Sequence, residues 1–480
     1  MITALLILLG ALLVCLGIAF IRTVRMPSKK AEYQAPQAGE RANAYGEKLA
    51  RMVRVNTVSV PETDQREQFL PFRELLEELF PLVHERLEKI EIDGNLLFVW
   101  KGRSSARPLV LMSHQDVVPA SGDWTHPPFS GDIADGKVWG RGASDTKCSV
   151  MAFFQAVEEL LQEGYVPEND VYLSSSCTEE WAGPGCGKLV DALEQRGVRP
   201  YLVCDEGGGI ITDPVGGIKG NFALVGVFEK GKADVTFTAR SSGGHASAPG
   251  RNTPVARLAA FVNAMERHSP FRRRMSPEVR AMFEQLAPYA PFYMKLLFGN
   301  IWLFRPLLLL ALPLISAQAG AMIRTTIAFT MMQGSDAFNV LPEKAMIGAN
   351  MRFIPHEGME ASLKKTGRIA ARYGLEMSVA HGVDASRKVD IHGSGFSLVR
   401  QVISATFPGL ETCPYVMTGA TDARNYERIA ANVVRFAPVI YGPEQMRGMH
   451  GLNENIEIAC LPGAVDFYRN LICANTGAEA

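Results

Sequence analysis

Hydrophobic and polar positions divide the chain into stretches of different texture. Ile2 to Ile21 is apolar or small without one charge, about long enough to cross a bilayer as a helix, and Arg22, Arg25, Lys29 and Lys30 follow it. A basic start and a small-residue cleavage site, the marks of a cleaved signal peptide, are not evident. Residues 1–30 therefore read as an uncleaved single-pass membrane anchor, its basic flank placing the body on the cytoplasmic side. Residues 31–40 read as a polar linker. From about Ala42 the spacing is helical, and Glu67–Leu79 repeats it. Short strands are expected at Leu96–Trp100, Pro108–Met112, Val171–Ser176 and Tyr201–Cys204, with helices at Ser149–Glu163 and Lys188–Gln195 between the later ones. Pro108–Met112 is continuously apolar, as in a strand buried on both faces of a mostly parallel sheet.

Beyond Ile218 the strands alternate like a sheet with one exposed face: Phe222–Val227, Ala233–Ala239, Ile323–Phe329, Lys344–Phe353 and Leu375–His381, with a helix at Thr253–His268. These predict an α+β lid domain over 221–384. It is interrupted at about 270–322 by an apolar helical insert, in which Leu296–Ile315 carries only Arg305 as a charge. That run is not expected to span a membrane. Spanning would put His114, Asp145, Glu180 and Asp205 on the opposite side from His450. The first texture returns after Gly395, so the expected architecture is an α/β domain over 41–220 and 385–480, interrupted by the lid.

Composition narrows the function. With 47% hydrophobic and 21% charged residues and a net charge of −1, the chain has no basic footprint for nucleic acid and no disorder signature. Its eight cysteines show no Cys-x-x-Cys spacing and are expected to be reduced thiols.

The candidate chemistry sits at strand ends. His114 and Asp116 follow the second strand, Glu179 and Glu180 the third, Asp205 the fourth, and Asp145 opens the helix between. Acids and a histidine at the carboxyl edge of such a sheet are the pattern of a metal site. In His114-x-Asp116 the carboxylate is spaced to hold the far ring nitrogen of a metal-bound imidazole. Adjacent carboxylates diverge, so one of Glu179 and Glu180 can bind metal while the other moves protons. The Gly140-Arg141-Gly142 loop has neither Walker nor dinucleotide spacing, and the plain reading of Asp145 is a helix N-cap. The other histidines, His245 apart, read as surface or loop residues.

His114-x-Asp116, Asp145 in Gly-Arg-Gly-x-x-Asp-x-Lys, Glu179-Glu180, Asp205-Glu206-Gly207, Gly244-His245 and His450-Gly-x-Asn-Glu occur in one order over some 340 residues. The set resembles the co-catalytic zinc aminoacylase/carboxypeptidase family, in its carboxypeptidase S and N-fatty-acyl-amino-acid synthase/hydrolase branch, from about residue 45 onward. The resemblance implies a zinc-peptidase fold with two zinc ions per chain. One is held by His114, Asp145 and Asp205, the other by Glu180, His450 and the shared Asp145. Asp116 would orient His114, Glu179 would act as general base, and His245 would reach over the metals to the scissile carbonyl. Asn339, Arg352, Thr421 and Arg424 would bind substrate, Arg352 by its carboxylate. Cys148 and Cys177 lie near these positions without being expected to ligate.

The implied reaction is hydrolysis of an amide beside a free carboxylate, in an N-acyl amino acid or at a peptide C-terminus, or the reverse condensation of fatty acid and amino acid. The partners expected are that substrate, a lipid bilayer met by the N-terminal helix and by the insert, and a second copy if the chain is a homodimer. The rival is a non-catalytic anchored binder of amino-acid or lipid conjugates. It would show a lost base or ligand, and none is lost here.

Overall fold

The computed structural model describes residues 1–476. An eight-stranded sheet lies at its centre, in the order Glu88–Ile92, Asn95–Trp100, Asn169–Ser175, Ser104–Met112, Leu202–Thr212, Asn432–Tyr441, Asn221–Glu229 and Glu411–Met417. From Asn169–Ser175 to Asn432–Tyr441 the strands are parallel, and Glu411–Met417 is parallel to its neighbour. The pairs at the Glu88 edge are antiparallel. The sheet is mixed and mostly parallel, as expected.

Its apolar runs serve two cores. Leu109, Leu111, Val171, Leu173, Leu202 and Cys204 pack on one face with residues of the helices Lys147–Gln162 and Leu461–Ala474. Val110, Met112, Tyr172 and Val203 pack on the other, with Leu189 and Leu193 of the helix Gly185–Gln195. Successive strand side chains point to opposite faces, so covering both demands apolar residues at every position. Each such side chain contributes roughly 1.5–3 kcal/mol on burial. Leu111 stands opposite both Leu173 and Cys204, so the strands Ser104–Met112 and Asn169–Ser175 end nearly level beside Asp205, while Leu202–Thr212 runs on past them.

A smaller antiparallel sheet holds Thr326–Gln333, Lys344–Phe353, Gly231–Arg240 and Glu376–Val383 in that order. Val235, Phe237 and Ala239 alternate with less buried neighbours and build a separate core with Phe261 and Met351.

Three expectations need correction, and the apolar run within the insert proves to be two helices. Asn221–Glu229, assigned to the lid by its alternation, pairs in the central sheet, and the second sheet starts at Gly231. The insert does not pack into the small domain. Val279, Phe283, Leu286, Ile301 and Leu308 join the main core, and the helix Pro277–Leu286 lies against the edge strand Glu411–Met417. Leu296–Ile315 is broken: the helices Phe292–Phe298 and Ile301–Ile315 meet at 107°, across Gly299 and Asn300. Asp205 lies inside the strand Leu202–Thr212 rather than at its end, beside a shift of register against Asn432–Tyr441.

The sheets are joined at Glu229-Lys230-Gly231 and, alongside, near Ser386, whose N–H donates to the Glu229 carbonyl at 3.0 Å. Lys230 is fully buried, with no carboxylate partner among the described residues. Its Nζ donates to the carbonyls of Ala321 (3.1 Å) and Arg324 (2.9 Å) and to Thr326 Oγ1 (3.1 Å), and burial, with Arg352 and Arg324 nearby, pushes its pKa down to about 7.

The helix Ile2–Arg25 is almost wholly exposed. It alone among the described helices is by itself long and apolar enough to cross a membrane. Its buried residues are Ala19 and Thr23.

Candidate metal centre and active site

His114 stands two residues beyond the end of its strand, after Ser113, and is buried. Its Nδ1 donates to the Asp116 carbonyl at 2.9 Å, with the Asp116 carboxylate at 3.5 Å. This bond fixes the tautomer and aims the Nε2 lone pair at Asp145 Oδ1, 3.2 Å away. Across the centre, His450 Nε2 lies 3.2 Å from Asp145 Oδ2 and 3.1 Å from Glu180 Oε2. Asp145 thus stands between the two imidazoles with one oxygen toward each. Ligand atoms of His114, Asp145 and Glu180 all lie within 4.8 Å of one another.

The fully buried Asp116 has a second task. Its Oδ1 accepts from the backbone N–H of Glu179 (3.2 Å) and its Oδ2 from that of Glu180 (3.1 Å), which clamps the turn carrying both glutamates. Glu179 is partly buried, and its carboxylate accepts no hydrogen bond among the described residues. Burial raises its pKa well above the ordinary glutamate value, against the pull of His114.

The helix after Asp145 starts at Lys147 with Thr146 as its cap residue, so Asp145 is not the N-cap. A residue without a role in the sequence reading holds Asp145 instead. The fully buried Glu454 accepts from the N–H groups of Ser144 and Asp145, both at 2.9 Å, and from Arg141 at 2.7 Å. The Gly-Arg-Gly and His-Gly-x-Asn-Glu motifs are thereby one cross-link, whose signal was the glutamate four residues after His450. Gly142 has φ +86°, and a Cβ there would meet Val117 Cγ1 at 2.6 Å, which accounts for the second glycine. Lys147, the last member of the first motif, is buried under the loop and donates to the carbonyls of Met52 and Val55 at 3.0 and 2.8 Å.

Asp205 is buried but stands outside the 4.8 Å group. Its oxygens accept from the backbone N–H groups of Glu206 and Ala423, both at 2.9 Å, and burial pushes its pKa up to about 6. Beside it lie two acids that the sequence reading gave no role. Asp422 accepts from Ser176 Oγ, and burial pushes it up to about 7. Burial also raises Glu206 well above its ordinary value.

The proposed substrate contacts divide. Thr421 Oγ1 donates to Glu229 Oε1 at 2.7 Å, and Arg424 Nε to Glu229 Oε2 at 3.1 Å. Both are therefore committed to a buried carboxylate that also pairs with Arg435 at 2.8 Å. Arg352 is half-buried. Its Nε donates to Asn350 Oδ1 at 2.8 Å, and its terminal nitrogens make no hydrogen bond among the described residues. His245 and Asn339 come together on the small domain. Gly244–His245 pairs with Val340–Leu341, and Ala246 N–H donates to the Asn339 carbonyl at 2.9 Å. His245 is exposed, its Nδ1 2.8 Å from Ser247 Oγ, with no hydrogen bond to the centre. Cys148 and Cys177 are buried, and their nearest polar partners are carbonyl oxygens rather than the centre.

The donor set suits metal ions. A neutral imidazole facing a carboxylate sets lone pair against lone pair, which only a proton or a cation between them relieves. Hydrogen bonding to Asp145 and Glu180 accordingly pushes His450 up to about 10. His114 is raised well above its ordinary value because its bonds to Asp116 and Asp145 outweigh its burial. Seven carboxylates (Asp116, Asp145, Glu179, Glu180, Asp205, Glu206 and Asp422) face two imidazoles, a charge excess that cations offset.

A mixed α/β sheet with an acid-rich, imidazole-bearing centre at its carboxyl edge is the setting of a metal-dependent enzyme. Residues 110–474 match the model of peptidase family M20/M25/M40, and the chain belongs to that family. It is similar to a probable carboxypeptidase S-like 2 of Dictyostelium discoideum, 32% identical over 439 residues covering 89% of this chain and 84% of the relative. It is equally similar to the N-fatty-acyl-amino acid synthase/hydrolase PM20D1 of Homo sapiens, 32% identical over 460 residues, 94% and 90% of the two chains. In fold it resembles the M20 family metallo-carboxypeptidase Sso-CP2 from Sulfolobus solfataricus, with TM-score 0.65 at 17% identity over 91% of this chain and 99% of that one.

Proposed function

We propose that the chain is a membrane-anchored dizinc amidohydrolase that cleaves an amide beside a free carboxylate, in an N-acyl amino acid or at a peptide C-terminus. The observation that carries this reading is Asp145, whose two oxygens face His114 Nε2 and His450 Nε2, each at 3.2 Å. That is the arrangement of a carboxylate shared between two cations. His114, Asp145 and Asp205 would hold one zinc, and Asp145, Glu180 and His450 the other. When bound, the pair supplies Lewis acidity toward a carbonyl oxygen and acidifies water.

The remaining work falls to the chain. Glu179, unpartnered and held by the Asp116 clamp, takes a proton from the attacking water and returns it to the leaving nitrogen. Burial raises its pKa, which suits a carboxylate that must hold the proton it takes before passing it on. The free terminal nitrogens of Arg352 suit a substrate carboxylate as a bidentate partner. His245 can serve the oxyanion only when its exposed hairpin is brought over the centre, so that role requires closure or a second chain. The activity for which the human relative is named supports the fatty-acyl amino acid among the substrates, in either direction of reaction.

Retention of the first helix is supported by its packing. Asn300 Nδ2, fully buried, donates to Thr23 Oγ1 at 2.9 Å and to the Ala19 carbonyl at 3.2 Å. Loss of the helix would remove both of these bonds and uncover the amide, leaving it its bond to the Leu296 carbonyl at 3.0 Å. The test is hydrolysis of an N-acyl amino acid against its C-terminal amide by metal-loaded and chelator-stripped protein. Cleavage of the free acid alone, dependent on zinc, is expected. Equal cleavage of both substrates would remove the carboxylate rule, and activity surviving metal removal would remove the zinc.

A further inference from the structure

The apolar insert and the first helix form one surface. Besides the Asn300 bonds, Phe20 meets Phe292 edge to face at 5.9 Å. Lys295 Nζ donates to Ser28 Oγ at 2.6 Å, and a Cβ on Gly299 would strike Met26 Cε at 2.5 Å. The helix Ile301–Ile315 therefore starts where the first helix ends, and its level relative to a bilayer is set. It buries Ile301, Leu308 and Leu312 as one stripe, and turns Trp302, Leu307, Leu310 and Leu314 outward, Leu314 being 85% exposed. An apolar helix face of this kind is poorly solvated by water and well solvated by acyl chains.

Beside its first turns lies a cavity of about 690 Å³, walled by Arg273, Arg274, Arg280, Arg305, Trp302 and Leu309. Four arginines line it. Among the described residues one carboxylate is paired with any of them, Glu284 with Arg280 at 2.8 Å. The guanidiniums of Arg274 and Arg305 make no hydrogen bond or ion pair among the described residues. That of Arg273 bonds the Leu309 carbonyl at 3.3 Å and so fixes the wall. The cavity also receives the start of the helix Pro277–Leu286, whose cap residue Ser276 lines it. The charge excess, the aromatic edge and the contiguous apolar face form the pattern of a lipid with an anionic head: phosphate among the arginines, tryptophan at the headgroup level, acyl chains along the leucines.

We propose that this cavity binds the phosphate of an anionic phospholipid from the membrane that holds the first helix, a site separate from the metal centre. It rests on the anchor reading for its position at the bilayer, but not on the reaction assigned to the centre. Arginine suits the phosphodiester because its planar fork bonds two oxygens at once.

The test is native mass spectrometry of the full chain extracted in neutral detergent, titrated with phosphatidylglycerol or phosphatidylcholine. Wild type should retain phosphatidylglycerol with a preference of roughly tenfold or more, from about fivefold for each well-placed arginine at a membrane surface. Arg274→Gln/Arg305→Gln, which removes two exposed guanidiniums with no internal partner, should lose most of that preference and keep its zinc content and its hydrolysis of a soluble substrate. Equal retention of both lipids would overturn the site, as would a preference that survives in the double variant. Displacement of the lipid by an equal concentration of glycerol 3-phosphate would overturn the assignment to a lipid. The same spectra report whether residues 1–30 are present, so failure of the anchor reading shows as a shorter mass and is distinguishable from failure of the site.

Discussion

Asp116→Asn isolates the clamp from the ligands. In the native chain each Asp116 oxygen accepts one backbone N–H, from Glu179 and from Glu180, and the neighbouring carbonyl of the same residue holds His114. Asparagine keeps the shape and one acceptor, but turns an NH₂ toward the second amide. A hydrogen bond to a charged acceptor contributes about 1.5–3 kcal/mol, so losing one and facing donor with donor releases the turn by at least that amount. At 1.4 kcal/mol per tenfold, this predicts a zinc affinity weaker by roughly 10–100-fold, the range found when partners of metal ligands are removed. Competition with a graded series of chelators measures it. At saturating zinc kcat/KM should remain depressed, because Glu179 shares the turn. A folded Asp116→Asn protein with native zinc affinity and native kcat/KM would show that the glutamates are positioned by something else.

Four further outcomes follow from the same geometry. Glu179→Gln should keep its zinc and lose activity by about 10²–10⁴-fold; an emptied metal site in this variant would exchange the roles of Glu179 and Glu180. Arg141→Met leaves Glu454 charged and buried without its partner, and should cost about 3–5 kcal/mol in chemical denaturation. Arg352→Ala should raise KM for free-acid substrates with zinc content unchanged, as read by steady-state kinetics. Lys230, with a folded pKa of about 7 against an ordinary 10.5, binds fewer protons folded than unfolded between those values. Its contribution to stability therefore rises with pH from about 7 to 10.5, and is least favourable below 7. Lys230→Met should flatten that rise in a comparison of denaturation curves with wild type.

The central sheet was legible in the sequence because its strands follow a simple pattern. A strand covered on two faces has to be apolar throughout, as Pro108–Met112 is, and the residues just beyond such strands face the open edge. The errors fell where two environments imprint alike. Asn221–Glu229 alternates as a lid strand would, yet it is buried along nearly its whole length in the larger sheet, and pairing partners far along the chain decide that. The insert's affiliation depends on which surface accepts Val279 and Phe283, and periodicity carries no address. Glu454 was visible as a motif residue but silent about its task, because its partners, the amides of Ser144 and Asp145, lie more than 300 residues away. Thr421 and Arg424 matched a substrate loop by pattern. Only the buried Glu229 shows where their hydrogen bonds are spent.

The sheet order also governs when this protein can exist at all. Asn432–Tyr441 slots between Leu202–Thr212 and Asn221–Glu229, which otherwise meet only from Gly209 to Thr212. During synthesis these neighbours wait some two hundred residues for the strand that fills their seam, with open backbone edges of the kind that recruit foreign strands. His450 arrives with that strand. A nascent chain is therefore unable to assemble its metal centre before its sheet is sealed, and a message cut short near residue 430 would yield an unsealed, inert product rather than a weakened enzyme.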